Sequence, residues 1–399
     1  MMQIDDALSR RLSSYQQRAL IVGIVALVIC IGGAFINRAQ FFQSYLFAFV
    51  FWAQLSIGCL ALLLIQHVAG GTWGAVIRRP LEAGAMTLPL MAVLFIPIIF
   101  GIQDLYVWAN PEEVAHSELL THKAPYLNIP FFIGRTVLYF VIWAGLAYFL
   151  NKWSSLQDKD ANAVPESRFS SLSGAGLPLL ALALTFASFD WMMSLEPEWF
   201  STIYGFLFGV SSAAVAFAFV VAVLNILARY QPLSNVVTIQ HFNDLGNFLL
   251  ATVMLWAYMS FSQYLIIWAG NLPEETIWYV ARTQGGWQVV ALFLIVFHFV
   301  APFFVLLARG VKRRPQLLTL VAGLILFVRL VDLFWLIIPA FYPTGFYLTW
   351  LNVVMPIALG GLWIAFFVRQ LRQKSLVAIN DPKLQGIETH GQHEATSHA

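Results

Sequence analysis

Ten long apolar segments, joined by loops whose charges segregate by side, constrain this chain more than any motif in it. A helix needs about 20 apolar residues to cross a hydrocarbon core of roughly 30 Å. Stretches of that order lie at 19–36, 44–68, 84–107, 130–150, 175–194, 202–228, 245–269, 286–308, 316–338 and 346–370. Hydrophobic residues make up 60% of the 399 and charged ones 11%, against about a quarter charged in soluble domains. The chain is therefore predicted to be an all-α polytopic membrane protein with ten transmembrane helices.

Lys and Arg set the orientation. With a cytoplasmic N-terminus, 17 of the 22 basic residues fall in inner loops and tails, and only Arg38, Lys123 and Arg282 in outer loops. Arg135 and Arg329 lie within helices. The outer loops carry Glu112, Glu113, Glu118, Glu196, Glu198, Glu274 and Glu275 instead. This asymmetry predicts cytoplasmic N- and C-termini and an even number of spans. The net charge of +2 hides that polarity and carries no nucleic-acid signal. The basic residues form separate clusters beside the membrane, suited to topology and anionic-lipid contact. Residues 1–18 are expected to form a cytoplasmic N-terminal segment, 19–371 the transmembrane domain and 372–399 a polar cytoplasmic tail. No cleavage site follows the first apolar stretch, which is kept as a helix. The tail holds His390, His393 and His398 and is expected to be disordered. Cys30 and Cys59 are isolated within apolar segments, so neither a disulfide framework nor iron–sulfur ligation is expected.

An internal repeat organises the middle of the chain. Gln103, Leu105, Trp108, Ala109, Asn110, Pro111, Glu112 and Glu113 align with Gln263, Leu265, Trp268, Ala269, Asn271, Pro273, Glu274 and Glu275 when two single-residue gaps are allowed. Weaker echoes in the same frame pair Tyr45 with Tyr204, Glu82 with Asp244 and Asp190 with Asp332. The spacing predicts a parallel repeat of four helices, 2–5 (about 44–194) and 6–9 (about 202–338), with helices 1 and 10 outside it. Asn-Pro and Leu-Pro then stop each helix and turn the chain, and a Trp at such an end suits headgroup depth.

Ionisable groups inside a bilayer are costly and usually face a bundle interior or a water-filled cavity. Those expected in or beside the spans are His67, Asp104, Arg135, Asp190, Asp244, His298, Arg329 and Asp332, with Gln54, Gln263 and Gln288 as neutral polar sites. Arg329 and Asp332 share a helix face at i, i+3. Asp190 has no basic residue in its own helix and must take a partner from another helix, be protonated or meet water. His67 and His298 raise the possibility of a haem but sit at different depths, and their titration range suits a proton relay better. The groups from His67, Asp244 and His298 on the inner half to Asp332, Asp190 and Asp104 on the outer half read as such a relay, with Arg135 and Arg329 tuning the carboxylates. Unrelated packing pairs would give the same pattern. The sequence has no nucleotide loop, metal-ligand spacing or catalytic triad.

The stretches running from Asp190 to Gly205, Trp256 to Tyr264 and Trp268 to Trp278 resemble one of the two sister membrane subunits of the bacterial alternative complex III, the one less associated with the quinol site. Both sisters belong to the polysulfide-reductase (NrfD-like) membrane-subunit superfamily. The resemblance covers nearly the whole chain. It implies an auxiliary, non-catalytic membrane subunit of a quinol-oxidising respiratory or photosynthetic complex in the bacterial inner membrane. It also implies partners: a multihaem cytochrome c, an iron–sulfur/molybdopterin-like subunit, an NrfD-like sister subunit and lipid. The complex would oxidise a quinol, usually menaquinol, and pass electrons to a cytochrome c or copper protein. No cofactor is expected to be bound covalently or by this chain alone, and a role in proton conduction and a quinone-contact surface within the complex are implied. A secondary transporter and a purely structural membrane anchor remain alternatives.

Overall fold

The computed structural model describes residues 6–378 and 380–381. Among them, ten helices are long and apolar enough to cross a membrane: α1 (Ala7–Ala34), α2 (Arg38–Ala69), α3 (Thr72–Phe100), α4 (Ile129–Gln157), α5 (Glu166–Leu195), α6 (Tyr204–Leu227), α7 (Ile239–Gly270), α8 (Trp287–Leu307), α9 (Pro315–Ala340) and α10 (Trp350–Leu371). Polar residues at the loop junctions start several of them. Asn37 and Asn128 accept from the N–H groups of Gln40 and Phe131 at 3.1 and 3.0 Å, while Thr238 with His241 and Thr349 with Asn352 form reciprocal caps.

Two boundaries differ from the sequence reading. The helix containing the first span begins a dozen residues early because Leu8 and Leu12 bury one face of the polar approach. The third span begins at Thr72 rather than at 84, so Arg78 and Arg79 lie inside a helix instead of a loop. It is a series of helical pieces, interrupted near Thr87, Phe95 and Gly101, with Pro89 and Pro97 opening successive pieces. The prolines lack the N–H that would continue the ladder. The polar-tail histidines lie outside the described residues.

Helices α2–α5 and α6–α9 form two bundles with the same packing cycle. In each, the first helix packs on the second and fourth, and the third packs between those two. The bundles meet where α2 crosses α6. A Cβ on Gly58 would stand 2.0 Å from the Ser212 carbonyl oxygen, so only glycine permits this backbone approach. Helix α2 is buried on all sides over most of its length, as expected of a helix apolar all round. Helices α1 and α10 run antiparallel outside the repeat and pack closely on one another.

The duplicated corner recurs in three dimensions. A short helix follows each Pro, at Pro111–His116 and Pro273–Arg282, with two glutamates in its first turn where the helix dipole favours them. The tryptophans diverge: Trp268 is 66% exposed at the bundle end, whereas Trp108 is buried against Tyr106 and Phe132. Of the two, only Trp268 presents its ring at the surface. Arg282, expected in an outer loop, is also buried. It donates to both carboxylate oxygens of Glu196 at 3.0 and 2.5 Å and to the carbonyl of Leu336 at 2.9 Å. This arginine ties the α5–α6 loop to the second bundle and removes Glu196 from the free acidic surface.

Candidate functional site: two buried arginine–carboxylate stations

Asp190 and Asp332, the repeat-related carboxylates, both lie near the acidic ends of their bundles and both are held by arginine. The surroundings differ. Asp190, at the end of α5, is fully buried and takes its partner from α4. Arg135 donates from Nε to Oδ2 at 2.9 Å and from Nη2 to Oδ1 at 2.8 Å. Tyr139, one turn further along α4, donates to Oδ2 at 2.7 Å. The third guanidinium nitrogen donates to the Tyr126 carbonyl at 2.9 Å. The rings of Tyr126 and Phe131 lie 3.8 and 4.4 Å from the guanidinium carbon, a cation–π arrangement. Burial and then the Asp190 charge push the Tyr126 phenol up to about 12. This station is saturated, with a two-pronged ion pair and a phenol as third donor.

The Asp332 station is assembled from four helices. Arg329 contacts Asp332 Oδ2 within α9. The same guanidinium donates twice to Gln54 Oε1 of α2, at 3.2 and 3.0 Å. Trp256 of α7 donates to Asp332 Oδ2 at 3.1 Å. From α8, His298 places Nδ1 3.8 Å from that oxygen, with its ring against Trp256 at 3.9 Å between centroids. His298 Nδ1 and Gln54 Nε2 are buried and make no hydrogen bond among the described residues.

The local sequence explains where His298 sits. Residues Ile295–Val300 form a π-helical turn within α8, and Pro302 follows four residues after His298. A proline there cannot donate to the His298 carbonyl, which loosens the α-ladder at that turn. Single π turns reposition side chains and recur at functional sites.

Of the predicted relay residues, the structure joins Arg135 with Asp190, and His298, Arg329 and Asp332 with one another. Asp104 instead pairs with Arg38 at 3.0 Å on the acidic end. Asp244 accepts from Gln240 at 2.7 Å at the start of α7, and His67 stacks on Phe169 at 4.9 Å. These three occupy separate places. Sequence reasoning missed Tyr139, although its spacing of four from Arg135 places both on one face of α4.

A third charged assembly lies at the basic end. Glu82 of α3 is bound by Arg78, Arg79 and Lys374 at 3.0, 2.8 and 3.1 Å. Arg78 reaches Asp381 at 2.8 Å, and Arg79 reaches Asp158 and the Ser154 hydroxyl. The three cations balance three carboxylates. Burial draws the Lys374 ammonium below its ordinary pKa, and Glu82 opposes the shift. The stretch after α10, expected as polar tail from 372, is thus tied to α3 and α4 as far as Asp381.

A large cavity of about 1130 Å³ lies between α1, α2, α6, α9 and α10. Apart from its tryptophan, its polar side chains are Tyr15, Arg18 and Asn352, and Asn352 donates to Ser44. Among the described residues its lining presents no carboxylate or imidazole.

Fold and stations together define a polytopic α-helical membrane protein built on two like bundles, each with a buried arginine-held carboxylate towards its acidic end. Neither protein-family models nor curated proteins match the chain.

Proposed function

We propose that this chain is the membrane subunit of a quinol-oxidising electron-transfer complex of the alternative complex III kind, and that it handles protons rather than electrons. The basic end faces the cytoplasm, and the acidic end receives the cytochrome and iron–sulfur partners. The resemblance in sequence supports the assignment to such a complex. Proton handling rests on one observation: Arg329 is shared between Asp332 and Gln54, with an unpartnered imidazole nitrogen 3.8 Å from the carboxylate.

The chemistry follows from that sharing. Arg329 supplies Asp332 with a counter-charge that favours its ionised form. Movement of the guanidinium towards Gln54, which it already contacts, leaves a buried carboxylate whose charge the interior disfavours, so it takes a proton. His298 Nδ1 needs to approach by less than 1 Å to reach hydrogen-bond distance and serve as donor or acceptor. Return of Arg329 expels the proton. Asp190 is held by both prongs of Arg135 and by Tyr139, and that guanidinium is clamped between two rings and the Tyr126 carbonyl, so the proton step is assigned to Asp332. Quinol oxidation itself lies in a partner subunit.

Asp332→Asn preserves size and hydrogen bonding while removing the proton site. In the assembled complex it should leave co-purification with haem c and iron–sulfur subunits intact and lower proton release per electron. An unchanged proton-to-electron ratio and unchanged turnover in Asp332→Asn would make this carboxylate structural and overturn the reading.

A further inference from the structure

At the basic end, the last turn of α6 and the first turn of α9 border an open depression of about 510 Å³, and the arginines along it are exposed. Arg229, Arg313 and Arg314 line it together with Asn225 and Gln316. None of the three arginines forms an ion pair among the described residues. Their positions compound the imbalance. Arg314 is the N-cap of α9, and the first turn of that helix contains no acidic residue. Three like charges therefore gather where the helix already presents unpaired N–H groups and the positive end of its dipole. An anion is the missing counter-charge.

The surroundings identify its source. Arg229, Arg313 and Arg314 flank the ends of two spans, which places the depression at headgroup depth. The large apolar groove runs along the same two helices, on residues that neighbour the depression without lining both. Val223 and Ile226 line it on α6, immediately beside Asn225 and Arg229. On α9, Phe327 lines the groove eleven residues after Gln316, about 20° away around the helix and roughly 16 Å deeper by helical geometry. That is about half the hydrocarbon thickness, the depth of one leaflet. A soluble phosphate would use the arginines alone.

We propose that an anionic phospholipid binds here, its phosphate among Arg229, Arg313 and Arg314 and its acyl chains along the groove between α6, α9, α1 and α10. The site is independent of the two carboxylate stations.

Delipidated full-length protein in neutral detergent provides the test, with lipid adducts read by native mass spectrometry and stability by thermal melting. Phosphatidylglycerol should bind and raise the melting temperature, and phosphatidylcholine should do so much less. The Arg229→Gln, Arg313→Gln, Arg314→Gln triple variant should melt like the parent without lipid and bind phosphatidylglycerol about 100-fold more weakly, from the membrane-surface contribution of each basic residue. The corresponding triple lysine variant should recover binding, which separates loss of charge from misfolding. Dihexanoyl phosphatidylglycerol, which keeps the headgroup but cannot fill the groove, should bind at least ~10-fold more weakly because each buried methylene contributes. Equal binding of the two long-chain lipids, or undiminished binding by the glutamine variant, would overturn the proposal. Stabilisation by millimolar inorganic phosphate matching that by the lipid would overturn it in favour of a soluble anion.

Discussion

Asp190 and Asp332 occupy one position of a duplicated design and have diverged in what surrounds them. Arg135 has no second carboxylate to turn to and is sandwiched by two rings, so its pair with Asp190 is a fixed joint between α4 and α5. Removing the arginine strands a buried carboxylate. Arg135→Ala should therefore destabilise the protein by about 3–5 kcal/mol, and Asp190→Asn in the same molecule should recover much of that loss. Thermal and denaturant unfolding of the single and double variants measure the coupling. Additive losses would show that the two side chains do not act as a pair. What the sequence disclosed at this scale was governed by distance along the chain. Arg329 and Asp332 are three residues apart on one helix, so their pairing was legible. Arg135 and Asp190 are 55 positions apart, so a partner for Asp190 could be required but not named. Arg78 and Arg79 were read as loop charges because hydropathy alone cannot show carboxylates brought to them from Asp158 and Asp381.

At the scale of the helix, glycine decides where backbones meet. A Cβ on Gly361 would stand 2.5 Å from the Ala19 carbonyl oxygen and from Gly23 Cα, and one on Gly23 would stand 2.7 Å from the Leu362 nitrogen. All these obstacles are backbone, which a rotamer change cannot relieve. Gly361→Leu should force α1 and α10 apart and destabilise the protein by about 1–3 kcal/mol, whereas Gly32→Leu, with open space around its missing Cβ, should cost far less. Melting temperatures in detergent compare the two, and equal losses would show that the crossing is not glycine-dependent. Element existence was legible because ten apolar stretches of membrane-spanning length leave little alternative. The start of α3 was not, because its first two turns carry charges neutralised only after folding. The π turn at His298 had a signal in Pro302, visible once a histidine four residues before a proline is read as a weakened rung.

For the whole molecule, charge polarity is the dominant order. Arg38 and Arg282, the arginines expected on the acidic end, are both paired with carboxylates there, while the opposite end gathers the arginines beside α6 and α9 that have no ion pair among the described residues. A molecule so polarised should insert one way round. A reporter fused to the C-terminus should be active only when designed for the cytoplasm, and periplasmic activity would reverse the orientation. The duplicated architecture was legible from the two Trp–Pro–Glu–Glu corners because a shared turn chemistry survives divergence. The joints between the bundles were not: Gln54 to Arg329 and Gly58 to Ser212 join residues from different repeats, and Glu196 to Arg282 ties the linking loop to the second, relations no periodicity records.

The antiparallel clasp of α1 and α10 also sets a timetable for biosynthesis. Gly23 leaves the ribosome roughly 340 residues before Gly361, an interval of about 20–70 s at ordinary translation speeds. During that time the closely packing face of the first span has no native neighbour from the last. It must wait in the lipid or under the care of the insertion machinery. A chain whose synthesis stops before Trp350 is then left with a recognisable unfinished surface, so the step that completes this fold is also a checkpoint for the integrity of its message.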